Sequence, residues 1–300
     1  MTGDLTPPSP STPGAGERLL LSVLATAQKP SRDQRKGRYT PESMRHPGKM
    51  LPAIAAQVIT AFTRPGDLVV DPMCGIGTTL VEAAHLGRHA IGMEYEADFA
   101  RMAAANMARA YHQGACGTGS VVWGDARTIT GVFPYHHRQA ALVLTSPPYG
   151  AHTHGHVTTG RDNGGKVTKA NHRYSRDRAN LAHQPLPGLM EGFERILTGA
   201  AELLKPGGIA AITVRPIRVR GVLVDLPGAV IEAAERADLV LTERLVALLA
   251  GLRGGGLVPR TSFFQGLETR RARDRGLPAC ATAHEDLLVF QRPIYPKGER

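Results

Sequence analysis

The strongest constraint on how this chain folds is its rhythm. From Gly48 onward, short apolar runs of strand character alternate with longer stretches at helical spacing, and Gly/Pro breaks separate them. "KMLPAIAAQVITAF" is a helix stopped by "RPGD". "LVVD" is then a strand, "TTLVEAAHLG" a helix, "HAIGMEY" a strand and "ADFARMAAANMARAYHQ" a long helix. "SVVWGDA" and "AALVLTS" are two further strands. "GLMEGFERILTGAAELL" is a helix closed by "KPGG", "IAAITVRP" a fifth strand and "LPGAVIEAAERA" another helix. "LVLTERLVALL" and "EDLLVFQR" bring the strands to seven. Such alternation across short loops specifies an α/β domain with a doubly wound, mostly parallel sheet. The last two strands lack a helix between them, so an antiparallel strand is expected at the sheet edge.

Three regions break the rhythm. Residues 1–40 open with "TPPSPSTPGAGE", too poor in apolar side chains to order itself, and continue into the basic "KPSRDQRKGRYTPE". They read as a mostly flexible basic arm, with at most a short docked helix over Leu19–Ala27. Residues 150–186 and 251–284 read as long basic loops, of the kind that in compact domains are functional or disordered. A chain of 300 residues with 42% apolar content can bury a sizeable core, and the +10 net charge favours a polyanionic partner. Three scattered cysteines, Cys74, Cys116 and Cys280, without a CxxC pair, argue against a disulfide framework and fit a reducing cytoplasm. Neither a membrane span nor a secretory leader is evident, so a soluble cytoplasmic protein is expected. "HTHGH" puts His152, His154 and His156 on alternate positions, but no Cys or carboxylate follows at ligand spacing, and the stretch reads as a mobile lid and not a metal site.

Chemistry concentrates at the strand ends. "VVDPMCGIGTT" places Asp71 and then Gly75 and Gly77 in the turn from the first strand to its helix, where glycines let backbone approach a ligand and the helix start offers unpaired N–H groups. The spacing is not the GxGxxG of dinucleotide enzymes. Glu94 ends the second strand, positioned to accept from ribose hydroxyls, and Asp125 ends the third, positioned to accept from an adenine amino group. One acid on each of three successive strand ends is a pattern for an adenosyl ligand. After the fourth strand, "TSPPYG" forms a stiff corner, because Pro147 and Pro148 fix their own φ and cannot donate to a ladder.

Together "DPMCGIGTT", "GDA" and "TSPPYG" resemble the S-adenosylmethionine-dependent amino-methyltransferases of DNA, a resemblance that runs over roughly residues 40–295. "HPGKMLP" (His46 to Pro52) looks like the stretch that in this family precedes the cofactor turn and closes over the methionine moiety. The resemblance implies a Rossmann-like methyltransferase domain over 41–300 with S-adenosylmethionine as cofactor. It implies cofactor contacts from His46, Pro47 and Lys49, from Asp71, Cys74, Gly75, Gly77, Thr78 and Thr79, and from Glu94, Tyr95, Asp125 and Ala126. The catalytic corner would be Ser146, Pro147, Pro148 and Tyr149.

The corner suits that chemistry. An exocyclic amino nitrogen is a poor nucleophile because its lone pair is delocalised into the ring, and acceptors aimed at its hydrogens localise it. The Ser146 side chain and Pro147 carbonyl supply such acceptors, and Tyr149 can stack on a base rotated out of the duplex. No cysteine adjoins the corner, which excludes the thiol attack that methylation at ring carbon five requires. Within the family, serine at the first corner position leans toward cytosine N4, and aspartate or asparagine toward adenine N6. DNA is therefore the expected partner and host modification an expected setting. Target recognition falls to the basic segments, where Asn163, Asn171 and Tyr174 interleave with Lys and Arg, and where Phe263 and Phe264 occur. A related family that methylates guanine N2 in transfer RNA shares a similar turn and a PPYG corner, though it usually has aspartate at the first corner position and a separate RNA-binding domain. RNA is the alternative partner. A non-catalytic nucleic-acid-binding protein is a third reading, which the intact corner disfavours.

Overall fold

The computed structural model describes residues 19–149, 156–159, 167–170, 174–175, 177–219, 222–260 and 263–295. In chain order the elements are β1 (Val23–Leu24), α1 (Ser31–Arg35), α2 (Pro52–Phe62), β2 (Leu68–Asp71), α3 (Thr78–His85), β3 (His89–Glu94), α4 (Ala97–His112) and β4 (Gly119–Trp123). Then come α5 (Ile129–Val132), β5 (Ala140–Thr145), the hairpin β6 (His156–Thr159) and β7 (Val167–Ala170), α6 (Leu186–Leu203) and β8 (Leu204–Val214). The hairpin β9 (Ile217–Val219) and β10 (Val222–Val224) precedes α7 (Leu226–Arg236) and β11 (Val240–Leu248). A third hairpin, β12 (Ala250–Arg253) and β13 (Gly256–Pro259), leads through α8 (Phe263–Asp274) to β14 (His284–Gln291).

The main sheet runs β4-β3-β2-β5-β8-β14-β11-β1, a Rossmann-like doubly wound order. β2, β3, β4, β5 and β8 are mutually parallel, whereas β14 is antiparallel to both its neighbours. The antiparallel strand expected at the edge thus lies inside the sheet, inserted between β8 and β11. β14 is reached from β11 through the β12–β13 hairpin and α8 and returns antiparallel beside it. An eighth strand joins the expected seven: β1 pairs in parallel with β11, Val23 opposite Val246 and Leu24 opposite Ala247.

That pairing corrects the reading of the N-terminal arm. Residues 1–18 lie outside the described residues, but 19–40 pack on the domain, with an extended segment where a helix over Leu19–Ala27 was expected. The open edge of β11 offers unpaired backbone groups that only an extended partner can satisfy. Arg35 and Tyr39 are then buried, Arg35 stacking over the Tyr39 ring at 4.9 Å. Tyr39 Oη and Arg38 both donate to the buried Glu82 of α3, at 2.6–2.8 Å. The expected basic loop over 251–284 is a hairpin followed by α8. Its arginine-rich sequence lacks an apolar stripe, so periodicity missed it, but Arg, Glu and Ala are good helix formers.

Two apolar layers sandwich the sheet. One packs α6 and α7 through Leu189, Phe193, Leu197 and Val230, the other α2, α3 and α4 through Ile54, Val58, Leu80 and Met107. β5, covered on both faces, is buried at every position, which explains its unbroken apolar run. Among the described residues no helix is long and apolar enough to cross a membrane.

Candidate active site

Strand order reverses between β2 and β5, since β3 and β4 extend the sheet one way and β8 the other. A crevice opens at the carboxyl ends of strands at such a switch point. Val69 pairs with Leu142 and Val70 with Val143, so the turn after β2 and the corner after β5 stand side by side at that edge. A cavity of about 530 Å³ lies over them. Its wall includes His46, Pro47, Lys49, Asp71, Cys74, Gly75, Thr78, Thr79, Glu94, Tyr95, Ala126 and the four corner residues. Of the residues expected at the site, Gly77 and Asp125 do not line it.

The turn is held from three sides. Cys74 N donates to Met93 O at 2.8 Å, and Gly75 N to Glu94 Oε2 at 2.8 Å, tying the turn to β3. Asn106 Nδ2 on α4 donates to Ile76 O at 2.8 Å. Gly75 has φ +53°, and a Cβ there would come within 3.0 Å of His46 Nε2. Gly77 caps α3 at φ +77° and lets it approach α4, where a Cβ would meet Ala103 at 3.1 Å. Gly77 thus lets α3 approach α4, and Gly75 lets the His46 ring close down on the turn.

Both carboxylates at the turn are buried and internally bonded. Asp71 accepts from Thr79 Oγ1 at 2.7 Å and Met73 N at 3.2 Å. Burial raises its pKa to about 6 despite those donors. Glu94 also accepts from Glu96 N at 2.9 Å, and burial raises it to about 7. Cys74 is buried, and burial pushes its thiol well up, so it is a packing group and no nucleophile.

Asp125 is engaged by the segment that follows it. Its carboxylate caps the short turn after β4 by accepting from Arg127 N at 3.0 Å, and pairs with the Arg127 guanidinium at 2.5 Å. Desolvation works against its ionisation, but the Arg127 hydrogen bonds and charge prevail and hold its pKa below the usual range. Only the neighbouring Ala126 reaches the cavity.

The His46 segment forms the roof. The buried His46 ring packs against Phe99 at 4.3 Å and edge-on to Tyr174 at 5.9 Å, and its Nδ1 accepts from Gly48 N at 3.2 Å. Lys49 Nζ donates to the carbonyls of Met44, at 3.1 Å, and His46. Burial and then the Arg35 charge pull its pKa down to about 8. Arg35 donates to Thr78 Oγ1 at 3.3 Å and to Met50 O, joining the arm to both roof and turn.

Tyr174, expected to face nucleic acid, instead walls the cavity. Its segment is pinned because Glu96 Oε1 accepts from Ser175 N at 3.0 Å, Ser175 Oγ at 2.9 Å and Asn180 Nδ2. Tyr95 Oη donates to Asp177 at 2.5 Å. Asn163, Asn171, His152 and His154 lie outside the described residues.

At the corner, Pro147 is buried and Ser146, Pro148 and Tyr149 are partly buried. Tyr149 lies over the apolar layer, with the Arg215 guanidinium 5.2 Å from its ring centroid. Thr213, Arg215, Arg260 and Glu285 complete this end of the cavity. Arg260 belongs to the basic segment expected to recognise the target, whereas Thr213, Arg215 and Glu285 were not anticipated, because each is a single polar residue at or beyond a strand end without a motif around it.

Comparisons with known proteins bear on this architecture. Residues 21–105, which hold the roof, the glycine turn and Glu94, match the DNA methylase family model. Over 52 residues the chain is 46% identical to the tRNA (guanine(10)-N2)-dimethyltransferase of Methanocaldococcus jannaschii, covering 17% of this chain and 15% of that protein. Over 59 residues it is 37% identical to the type II methyltransferase M2.DpnII of Streptococcus pneumoniae, covering 20% of this chain and 22% of that protein. The chain thus aligns with less than a quarter of the length of either relative. Among solved structures, TrmN of Thermus thermophilus superposes with a TM-score of 0.48 at 18% identity, over 87% of this chain and 53% of that one.

Proposed function

We propose that this chain is an S-adenosylmethionine-dependent methyltransferase acting on an exocyclic amino group in DNA, with cytosine N4 as the target. The observation that carries the reading is the one cavity into which the glycine turn and the Ser146–Tyr149 corner both open. The DNA methylase match and the similarity to the S. pneumoniae enzyme support it. So does the basic surface beyond β11, where Arg253, Arg270, Arg271, Arg273 and Arg275 are exposed and available to phosphates.

The cofactor fits the residues present. Gly75 brings the His46 roof close over the turn, and the buried Asp71 and Glu94 give the turn a negative end suited to a cationic ligand. When bound, S-adenosylmethionine supplies a methyl group on a sulfonium. Glu94 and the Gly75 backbone would hold its ribose and Ala126 its adenine, while Asp71, Thr78 and the His46–Lys49 roof would enclose its methionine end. Ser146 Oγ makes no hydrogen bond among the described residues and is available to accept from the target amino group, as is the Pro147 carbonyl, aimed by Pro148. These acceptors hold the amino nitrogen with its lone pair directed at the methyl group, and Tyr149 holds the base plane.

The test is transfer of radiolabel from S-adenosylmethionine to duplex DNA, to total transfer RNA and to neither, with nucleosides identified by mass spectrometry. N4-methylcytosine is expected, and N6-methyladenine would keep DNA but move the target. The M. jannaschii relative favours a second reading, guanine N2 in transfer RNA, for which N2-methylguanine is the signature.

A further inference from the structure

Polar groups at the far end of the cavity are left without partners. β8 and β14 pair antiparallel with Thr213 opposite Leu287 and Val214 opposite Asp286, so the next position beyond the ladder sets Arg215 opposite Glu285. Directly opposite residues share a face, which puts Thr213, Arg215 and Glu285 together at the sheet's carboxyl edge. Thr213 is 1% exposed, and its hydroxyl has no hydrogen-bond partner among the described residues. Glu285, also lining the cavity, has neither a hydrogen bond nor an ion pair among them. Of the carboxylates near Tyr149, Glu285 weighs most on its phenol. Buried polar groups without partners are rare in folded proteins, and among the described residues Thr213 Oγ1 and the Nε and Nη2 of Arg260 are such groups at this cavity, beside the partly buried Glu285.

We propose that Glu285, with the Thr213 hydroxyl on the same face, is the specificity-determining side chain of this site and holds the edge of the target base beside its amino group. The inference rests on the amino-methyltransferase reading above. Burial raises the Glu285 pKa and so favours the neutral acid, against the opposing charge of Arg215. A neutral carboxyl offers one O–H donor and one C=O acceptor. The O–H matches a ring-nitrogen acceptor beside the amino group, as at cytosine N3 and adenine N1, while Ser146 and the Pro147 carbonyl take the two amino hydrogens. It mismatches the N1–H/N2–H edge of guanine, which presents two donors and calls for an ionised carboxylate.

The experiment compares wild type, Glu285→Gln and Glu285→Ala on genomic DNA from a host without DNA methylation, with modified nucleosides quantified and cofactor affinity measured by calorimetry. Glutamine offers the same donor and acceptor, so Glu285→Gln is expected to keep activity within about tenfold of wild type. Glu285→Ala is expected to lose about 100-fold in kcat/KM, since a base edge left unpaired in a buried site costs that order. Cofactor affinity is expected to stay unchanged in both, which separates the assignment from misfolding. The assignment is overturned if Glu285→Ala matches wild type. It is equally overturned if Glu285→Gln is as inactive as Glu285→Ala while both bind cofactor, because a carboxylate would then be required. Absence of label in DNA with the wild-type protein overturns the functional reading itself, and this assignment with it.

Discussion

The two ends of the cavity are built on opposite principles. At the β2–β3 end every carboxylate is already engaged: Asp71 by Thr79, Glu94 by Gly75 and Glu96, and Glu96 by Ser175 and Asn180. At the β5–β8–β14 end the buried Thr213 hydroxyl makes no hydrogen bond among the described residues, and Glu285 faces the Arg215 charge without a hydrogen bond among them. An internally bonded wall is preorganised and rigid, which suits a ligand that is always the same. An unsatisfied wall is stabilised only when the ligand arrives, so it rejects whatever cannot complete its hydrogen bonds. On the proposed reading, binding strength is built into one end and selectivity into the other.

Breaking the first end should have the largest effect. Gly75→Trp forces a side chain onto His46 from a left-handed backbone and should abolish cofactor binding in calorimetry, as should Asp71→Ala. At the second end the effects should separate from cofactor affinity. Tyr149→Ala should leave cofactor affinity near wild type and cut transfer by about 100-fold, as loss of a stacking platform worth roughly 1–3 kcal/mol implies. Transfer at the wild-type rate would refute the stacking role.

A pH series sharpens the contrast further. Asp71 near 6 and Glu94 near 7 both lie above their ordinary values of 3.8 and 4.5, so the folded chain binds these protons more tightly than the unfolded one. The stability they contribute is fully present below those ordinary values and is lost as pH rises through about 6 and then about 7. The cofactor-free melting temperature should therefore fall across this window and level off above it. In Glu94→Gln the upper part of the fall should vanish. Affinity for the cationic cofactor should run the other way, rising with pH until both acids are ionised.

Asp125→Ala should have the smallest effect, about 1 kcal/mol of stability for the lost cap and little change in cofactor affinity. A large loss of affinity would return Asp125 to the adenine-binding role that its place at the end of β4 suggested.

Much of this was legible in one dimension. The seven long strands announced themselves by apolar runs, and the glycine turn and the proline corner by residues whose backbone freedom or stiffness is local. The Arg127 pairing of Asp125 was not legible, because an acid at a strand end looks the same whether it faces a ligand or an arginine two residues on. Arg35 and Glu285 were hidden for a related reason. A lone polar residue carries no period, and its role depends on what the fold sets opposite it.

The sequence by itself determined the alternating elements and the special backbone at the turn and at the Ser146–Tyr149 corner. Only the tertiary structure decided that β5 pairs with β2, some 70 residues away, and not with β4, its predecessor in the chain. That reversal makes one cavity from two motifs. It was likewise the tertiary structure that placed β14 inside the sheet and so carried Glu285 to the same edge. Strand order is set by which buried faces pack best over the whole domain, and that sum over long-range contacts is written in no single stretch of the chain.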